Sequence, residues 1–517
     1  MIKHNKLTIL DLSKDEDISL SNSIIYQISY GTTKISNCKI LKKNFFSEAK
    51  FKKYKNKINN SLVNFYKFLS KKKIHKDLIP LEILNQRNDK TQIFNKIFYL
   101  LEIKEYIAEN KINNVEIITD DENFFNVYKS LKIKNLSVLN LSKKKKNNIN
   151  LIYFSKTLIF YLKTLIFVCF IKLFLREKKI DKKFSEGCLT LYPLFFKKNK
   201  NLFYSKKLLN LNFQITDETH LSNTLLKNLN LAIKVDKIEN TILVEKYIRI
   251  GWIIKSFFIG LKNIKLIHES EKFKFEIDDI NFSSLFRNLF LISLLNLNKL
   301  SIYESALSEI LTIFKLKKFH YFLFEYNFGY YLSNIIKKIS PNTKQIGYQH
   351  GIYSERLMWQ NFSQKIKLTD YFPNEIICKY KYSIDSYKKN FKNIKIILKK
   401  ANKFLTNNFF KKSDKKYQVY LGLHDCYNIL NELRNLKNNK KFILNLHPKM
   451  KYKNILKLNK NLVINDKKTN INVAGKVLLS TTSTMPYQFY PKNKFNIILP
   501  KNIIPLNPKL FDRFFLK

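Results

Sequence analysis

Glycine and proline are scarce in this chain, with nine and ten copies among 517 residues. The sequence has no G-x-G-x-x-G stretch, no Gly-Lys-Ser/Thr phosphate loop and no nucleophile-elbow serine, which weighs against nicotinamide enzymes, ATPases and serine hydrolases. None of its five cysteines lies within four residues of another. No disulfide framework or zinc ligand set is therefore predicted, and a reducing compartment is expected. The N-terminus lacks a long apolar core and a cleavage site, so no signal peptide is predicted.

Acidic residues are also few, 40 against 94 lysines and arginines, which gives a formal net charge of +54. A hydrophobic content of 45% excludes a disordered chain. The charge alone suggests a nucleic-acid-binding protein. However, lysine is abundant together with Asn, Ile, Phe and Tyr, as AT-rich codon usage would produce, and no nucleic-acid-binding motif accompanies it. A basic face that meets anionic lipid or saccharide explains the charge equally well.

The first 148 residues are predicted to form an α/β domain. Residues 114–119 are apolar and typical of a strand, Asp120-Asp121 indicate a turn and a helix cap, and residues 123–131 have a helical pattern. Residues 136–139 then predict a second strand. This succession is a βαβ unit, which is the building block of a parallel sheet.

An apolar segment follows at 149–180, and it is predicted to contact a membrane. Lysines at 156, 163 and 172 interrupt it, and its longest charge-free stretch, Thr164 to Ile171, is too short to cross a bilayer. A helix that lies in the membrane interface, with its lysine side chains extended toward water, fits this pattern. The alternative is a buried helix that packs two domains together.

The part at 181–372 contains a second compact α/β unit. Residues 319–324 predict a buried strand whose exit loop holds Glu325, and residues 345–348 predict a strand that leads into Gln349, His350 and Gly351. Ligands of open α/β sheets bind beyond the carboxyl ends of the strands, so Glu325 and His350 are candidates for the catalytic base. The alternatives are a helix-capping carboxylate and a turn histidine.

The last part, 373–517, has two strands that each run into a loop suited to phosphate. Residues 442–446 lead into His447-Pro448, in which an imidazole at a strand end can donate to a phosphate oxygen. Residues 477–479 lead into the hydroxyl-rich 480–486, where Ser483 or Thr484 would cap a helix whose N-terminus attracts anions. Gln488, one turn further on, would reach a ribose hydroxyl. The alternatives are a capped helix without ligand and a surface histidine.

Four features follow one another along the chain, which are Glu325, Gln349-His350-Gly351, His447-Pro448 and the hydroxyl-rich loop that begins at Ser480. In this order they resemble bacterial surface-carbohydrate glycosyltransferases of the GT-B fold, such as enzymes of capsule, O-antigen and lipopolysaccharide synthesis. The set is most similar to their His-Pro group, which includes sialyltransferases and Kdo transferases, and the resemblance covers about residues 185–500. In that group the His-Pro pair and the hydroxyl loop bind the CMP of a CMP-activated nonulosonic acid. The resemblance implies this role for a set of five residues, which are His447, Pro448, Ser480, Ser483 and Thr484.

The expectation is therefore an α/β enzyme with two Rossmann-like lobes, preceded by the N-terminal α/β domain. It would transfer a sugar, with inversion, from a CMP-linked donor to a lipid-linked glycan, without a metal or other cofactor. Gln349 and Gly351 would lie on the acceptor side. The expected location is cytoplasmic and peripheral, on the inner face of the plasma membrane, with no nucleic-acid partner. Two alternatives remain open, which are a phosphotransferase that uses a CDP-linked polyol and a basic nucleic-acid-binding protein.

Overall fold

The structure is a computed structural model. It describes residues 6–12, 16, 19–28, 34–36, 38–41, 48–71, 93–142, 149–175, 184–190, 211–215, 225–323, 327–349, 371–391, 393–399, 416–422, 429–430, 433, 441–446, 462–464, 476–480 and 496–498. In these residues the fold is mixed α/β and is built around parallel sheets.

The first sheet is parallel and five-stranded, and it is formed by the N-terminal part of the chain. Its elements and a separate strand pair are β1 (Lys6–Asp11), β2 (Ser19–Ser21), β3 (Ile24–Gln27), β4 (Lys34–Ser36), β5 (Lys39–Ile40), α1 (Glu48–Lys71), α2 (Ile93–Glu109), β6 (Asn114–Thr119), α3 (Glu122–Lys129) and β7 (Leu136–Asn140). The strand order is β5-β3-β1-β6-β7, and β2 pairs with β4. The predicted βαβ unit is confirmed as β6-α3-β7, and Asp121 caps α3 as expected.

The second sheet is parallel and has seven strands, in the order β10-β9-β8-β13-β14-β15-β16. This part of the chain contains α4 (Ile149–Phe174), β8 (Glu186–Thr190), β9 (Leu211–Gln214), α5 (Leu225–Asp236), β10 (Thr241–Leu243), α6 (Ile250–Lys262), α7 (Ile264–Glu271), the hairpin β11 (Glu276–Ile277) and β12 (Ile280–Asn281), α8 (Ser283–Phe314), β13 (Lys318–Leu323), α9 (Asn327–Ile339), β14 (Lys344–Gln349), β15 (Glu375–Cys378), α10 (Lys381–Asn390) and β16 (Lys395–Leu398).

This sheet continues past the predicted boundary at 372/373. β15 pairs with β14 and β16 pairs with β15, both in parallel, so the second sheet extends to Leu398. The reason is long-range backbone pairing, with Ile346 to Tyr348 aligned with Glu375 to Ile377. The stretch at 373 therefore leads into another strand of the same sheet. The other divisions of the chain stay predictions.

The third sheet is parallel and five-stranded, with the order β19-β18-β17-β20-β21. Its strands are β17 (Lys416–Tyr420), β18 (Lys441–Asn445), β19 (Leu462–Ile464), β20 (Lys476–Ser480) and β21 (Asn496–Ile498). Fully buried Val419 and Leu444 anchor the central strand β17 and its neighbour β18 in a small core. Both strands that were predicted to precede the phosphate loops are thus present as β18 and β20.

All three sheets have the same type of strand order. The chain extends each sheet outward from its first strand to one edge, and then returns to add strands on the other side of that first strand. In open parallel sheets the connecting segments diverge at such a return point, so a crevice is expected at the carboxyl ends of the strands. The return points lie between β1 and β6, between β8 and β13, and between β17 and β20.

The first sheet shares its hydrophobic core with elements of the second part of the chain. Phe65 on α1 lies 5.1 Å from Phe273 and 6.0 Å from Phe290, between ring centroids. The same core continues into α7, the first half of α8 and α10. Because aromatic side chains bury large apolar areas, this contact joins the N-terminal unit firmly to the long helix α8.

Candidate functional site

The carboxyl ends of three neighbouring strands in the third sheet are level. Tyr420 of β17 is aligned with Asn445 of β18 on one side and with Leu479 of β20 on the other. The Leu421 amide donates to the Asn445 carbonyl at 3.0 Å, so the pairing continues to the strand ends. The chain therefore leaves β18 and β20 at the same edge of the sheet, on either side of β17.

The predicted donor-binding residues follow these two strand ends. His447 and Pro448 come two and three residues after β18, and Ser480 is the last residue of β20. The side chain of Ser480, and all of His447, Pro448, Ser483, Thr484 and Gln488, lie outside the described residues. The strands are thus in the arrangement that the prediction requires, while the joint binding of one phosphate group stays a prediction.

A similar edge occurs in the second sheet. Leu323, the last residue of β13, is aligned with Gln349, the last residue of β14. Glu325 comes two residues after the first strand, and His350 and Gly351 come directly after the second. Neighbouring strands are about 4.8 Å apart, so the segments that hold the two candidate bases leave adjacent strands. Glu325, His350 and Gly351 themselves lie outside the described residues.

Gln349 is described, and its side chain is turned into the protein. Its Nε2 donates to Ser383 Oγ at 2.7 Å, and its Oε1 accepts from the Lys379 amide at 3.0 Å. The residue is almost completely buried. Both ends of its amide are therefore bonded, one to α10 and one to the residue after β15, while its predicted contact with the acceptor stays a prediction.

Two lysines at the same edge were missed by the sequence reasoning. Lys379 and Lys399 are the first residues after β15 and β16, and the strand ends Cys378 and Leu398 are aligned. The Lys399 amide donates to the Cys378 carbonyl at 3.0 Å. Lys379 Nζ lies 5.7 Å from the centre of the Phe322 ring. Lys379 therefore lies close to β13, the strand that precedes Glu325, and Lys399 follows the next strand beyond β15.

The surroundings of these lysines weaken their protonated forms. Burial lowers the pKa of Lys379, and the charge of Lys399 lowers it further. Partial burial also lowers the pKa of Lys399, although both lysines are exposed residues. A bound anion would relieve the repulsion between two such cations. No local sequence pattern could have identified them, since lysine is abundant along the whole chain.

His320 lies inside the second sheet, away from this edge. Its Nε2 is 3.3 Å from Glu186 Oε2, and its Nδ1 is 3.3 Å from the Tyr348 hydroxyl. Lys318 Nζ approaches Glu186 at 2.6 Å. Burial lowers the pKa of His320 against the opposing effect of Glu186. The group is an internal polar cluster that joins β8, β13 and β14.

The return point of the first sheet holds a buried charged cluster. Asp11 ends β1 and Thr119 ends β6, and the two residues are aligned. Lys96 Nζ from α2 lies 2.9 Å from Asp11 Oδ1 and 2.5 Å from Asp121 Oδ2. The Tyr128 hydroxyl donates to Asp11 Oδ2 at 2.7 Å. The side chains that meet at this point therefore bind one another.

A cavity of about 680 Å³ opens at the amino end of the first sheet. Ile103, Ile107 and Ile280 contribute to its apolar lining, and Lys104 and Lys132 are among the lysines at its rim. It lies at the opposite end of the sheet from the strand ends discussed above. Within the described ranges, no three His, Cys, Asp or Glu side chains come together in a way that could hold a metal ion.

Comparison with known proteins gives no assignment: no protein-family model, no curated protein and no solved structure matches this chain.

Proposed function

We propose that the protein is a nucleotide-sugar-dependent glycosyltransferase of surface-polysaccharide synthesis, with the second and third sheets as the two Rossmann-like lobes of a GT-B enzyme. The donor is a CMP-linked sugar, most simply a nonulosonic acid, and the acceptor is a lipid-linked glycan. The third sheet binds the donor and the second sheet binds the acceptor. The protein acts in the cytoplasm at the inner face of the plasma membrane.

One observation carries the proposal, which is the level carboxyl edge formed by β18, β17 and β20. Strand ends beside the return point of a parallel sheet are where α/β proteins bind nucleotides. The segments that leave these strands carry His447 on one side and Ser480 on the other. An imidazole, several hydroxyls and a helix N-terminus are together suited to a phosphate.

The proposed reaction is a single inverting displacement. The acceptor hydroxyl oxygen attacks the anomeric carbon of the donor, and Glu325 or His350 takes its proton. The bond between the anomeric carbon and the phosphate oxygen breaks, so the electron pair leaves with CMP. His447 and the hydroxyls of Ser483 and Thr484 stabilise the developing charge on that phosphate. Lys379 and Lys399 add positive potential on the acceptor side.

Calorimetric titration with CMP and with CDP-glycerol tests the donor site. We expect CMP to bind and CDP-glycerol to give no response. The variant His447→Ala should lose CMP binding while its thermal unfolding stays unchanged. His268→Ala is the matched control, because His268 is exposed on α7, and it should bind CMP like the wild type.

The outcomes separate the alternative functions. Binding of CDP-glycerol would favour the polyol-phosphate transferase, which would use the same phosphate loop. A nucleic-acid-binding protein would lose affinity for DNA or RNA steeply with salt and would be indifferent to His447→Ala. Normal CMP binding by His447→Ala would show that the donor site is assigned to the wrong residues.

A further inference from the structure

Exposed apolar side chains are concentrated on two neighbouring helices. The described part of the chain has seventeen large hydrophobic side chains that are exposed, of which seven are on α4 and four on α6. These eleven are Leu151, Phe154, Ile159, Leu162, Ile166, Leu173, Phe174, Ile250, Ile254, Phe258 and Ile259. Single exposed hydrophobic residues are ordinary on a protein surface, whereas a cluster of this size indicates a contact surface.

The two helices lie side by side. The Tyr153 hydroxyl donates to the Gly260 carbonyl at 2.8 Å, and the Tyr161 hydroxyl donates to the Ser256 carbonyl at 2.7 Å. The ring of Tyr161 lies 5.6 Å from that of Phe257. As residue numbers rise along α4, the partner numbers on α6 fall, so the two helices are antiparallel.

Both helices rest on α8. Asn298 Nδ2 on α8 donates to Thr157 Oγ1 on α4 at 3.3 Å. Trp252 Nε1 on α6 donates to the Ser301 carbonyl on α8 at 2.9 Å. Because α8 covers the inner side of the pair, the apolar rows on the outer sides of α4 and α6 face the same way. We define these outward rows as the two-helix face.

Length and composition alone would allow α4 to cross a membrane, with a mean hydropathy of 2.0. Its contacts show instead that one side of the helix packs against the protein. Tyr153, Tyr161 and Thr157 form hydrogen bonds with α6 and α8, and Phe167 and Val168 are buried. Only one side of the helix is therefore available to lipid. The exposed row from Leu151 to Leu173 extends over about 33 Å at 1.5 Å per residue, parallel to the surface of the protein.

The charges on the two helices are of one sign. α4 carries three lysines and α6 carries two, and neither helix contains an aspartate or a glutamate. Lys156, Lys172, Lys255 and Lys262 are exposed. In a two-fold symmetric dimer the same patch would face itself, so these cations would meet their own copies. A surface of anionic lipids offers the complementary charge and an apolar interior.

We propose that the two-helix face docks the protein onto an anionic lipid bilayer, with α4 and α6 lying flat in the headgroup region. The apolar rows enter the boundary of the acyl chains, and the lysines contact the lipid phosphates. α6 thus adds four exposed apolar side chains to the seven that α4 provides. The inference rests on the membrane location given in the proposed function and not on the transfer reaction, so it and the assignment of the donor site can fail independently.

Co-sedimentation with vesicles of 70% phosphatidylcholine and 30% phosphatidylglycerol tests this proposal with the full-length protein. We expect the wild type to sediment with these vesicles, to bind pure phosphatidylcholine at least about tenfold more weakly, and to be released by salt. The double variant Ile166→Glu, Phe258→Glu should bind at least about tenfold more weakly than the wild type, because it places two carboxylates at the lipid boundary. Both positions are more than half exposed, so the fold should be kept.

The control is Leu139→Glu, an equally apolar exposed side chain on β7 of the first sheet, which should bind vesicles like the wild type. Calorimetric titration with CMP on the double variant separates this proposal from the function, since donor binding should be unchanged. The proposal is overturned if the wild type ignores both kinds of vesicle or binds them equally. It is also overturned if light scattering shows that the wild type is a dimer that the double variant breaks, because a second copy would then cover the face.

Discussion

Replacing Lys96 with methionine should destabilise the first sheet at its return point, between β1 and β6. The Lys96 ammonium lies between the carboxylates of Asp11 and Asp121 and 5.0 Å from the centre of the Phe124 ring. Opposite charges raise the pKa of Lys96 even though burial alone would lower it, so the group is charged in the folded protein. Methionine keeps most of the length and apolar contact of the side chain and removes only the charge.

The size of the expected loss of stability follows from the groups that remain around Asp11. Its side chain is 0% exposed, and among the described residues it keeps, without Lys96, the hydroxyls of Tyr128 and Thr119, at 2.7 and 3.3 Å. An uncompensated buried carboxylate of this kind costs about 3–5 kcal/mol. Asp121 is 21% exposed and can be hydrated by water. The double variant Asp11→Asn, Lys96→Met removes both buried charges and should recover most of the loss.

Hydrogen exchange measured by mass spectrometry reports the loss of stability locally in β6. At about 1.36 kcal/mol per factor of ten, protection of residues 114–119 should fall by about 10²–10⁴-fold in Lys96→Met. The control is Lys53→Met, whose ion pair with Glu105 joins an exposed lysine to a half-buried carboxylate, and it should change protection less than about tenfold. Protection within tenfold of wild type in Lys96→Met, or no recovery in the double variant, would refute the reasoning.

Two further predictions concern the second sheet. Gly187→Ala should destabilise the protein by about 1–3 kcal/mol in denaturant unfolding, because the new Cβ would lie 2.5 Å from Leu316 Cδ1 and 2.8 Å from Phe213 Cε2; unchanged stability would mean that these side chains move aside freely. Burial lowers the pKa of His320 from 6.5 in the folded protein. Below pH 6.5 the unfolded chain therefore binds a proton more readily than the folded chain, so the free energy of unfolding decreases as the pH is lowered. In thermal unfolding, His320→Gln should therefore lose less stability than wild type between pH 7 and pH 5.5, and an equal loss would contradict this origin.

The parts of the fold that the sequence predicts well are those with a local cause. The β6-α3-β7 unit follows from a buried apolar strand and from the Asp121 cap, whose side chain accepts from the Asn123 amide. β18 and β20 follow from continuous apolar runs, as expected for strands buried on both faces. Neither feature requires knowledge of a distant partner.

The boundary at 372/373 fails for the opposite reason. Pro373-Asn374 is typical of a turn between domains and equally typical of a turn that leads to the next strand of the same sheet. Only the pairing of Glu375 with Ile346 decides between these possibilities. The same holds for Lys379 and Lys399, which become neighbours through the register of β15 and β16.

The exposed face of α6 shows a further limit of periodicity. Ile250, Ile254 and Phe258 recur at the spacing of a helix face, a pattern that usually marks the side packed on the core. In the structure Ile253 and Ser256 are buried instead, and the apolar row faces outward. When a helix is apolar on most sides, the sequence cannot indicate which side the protein covers.

The common strand order of the three sheets means that topology alone cannot assign the active site, since function depends on the groups at each edge. At the first return point the buried carboxylate of Asp11 is paired with Lys96 and accepts from the Tyr128 hydroxyl, so this charge is already bound within the protein. At the second sheet, Lys379 and Lys399 lie close enough for one charge to lower the pKa of the other, and an anion would stabilise both. At the third, level strand ends lead into an imidazole and a row of hydroxyls. On these differences rests our proposal that the N-terminal unit is a scaffold and that the other two sheets carry out the transfer.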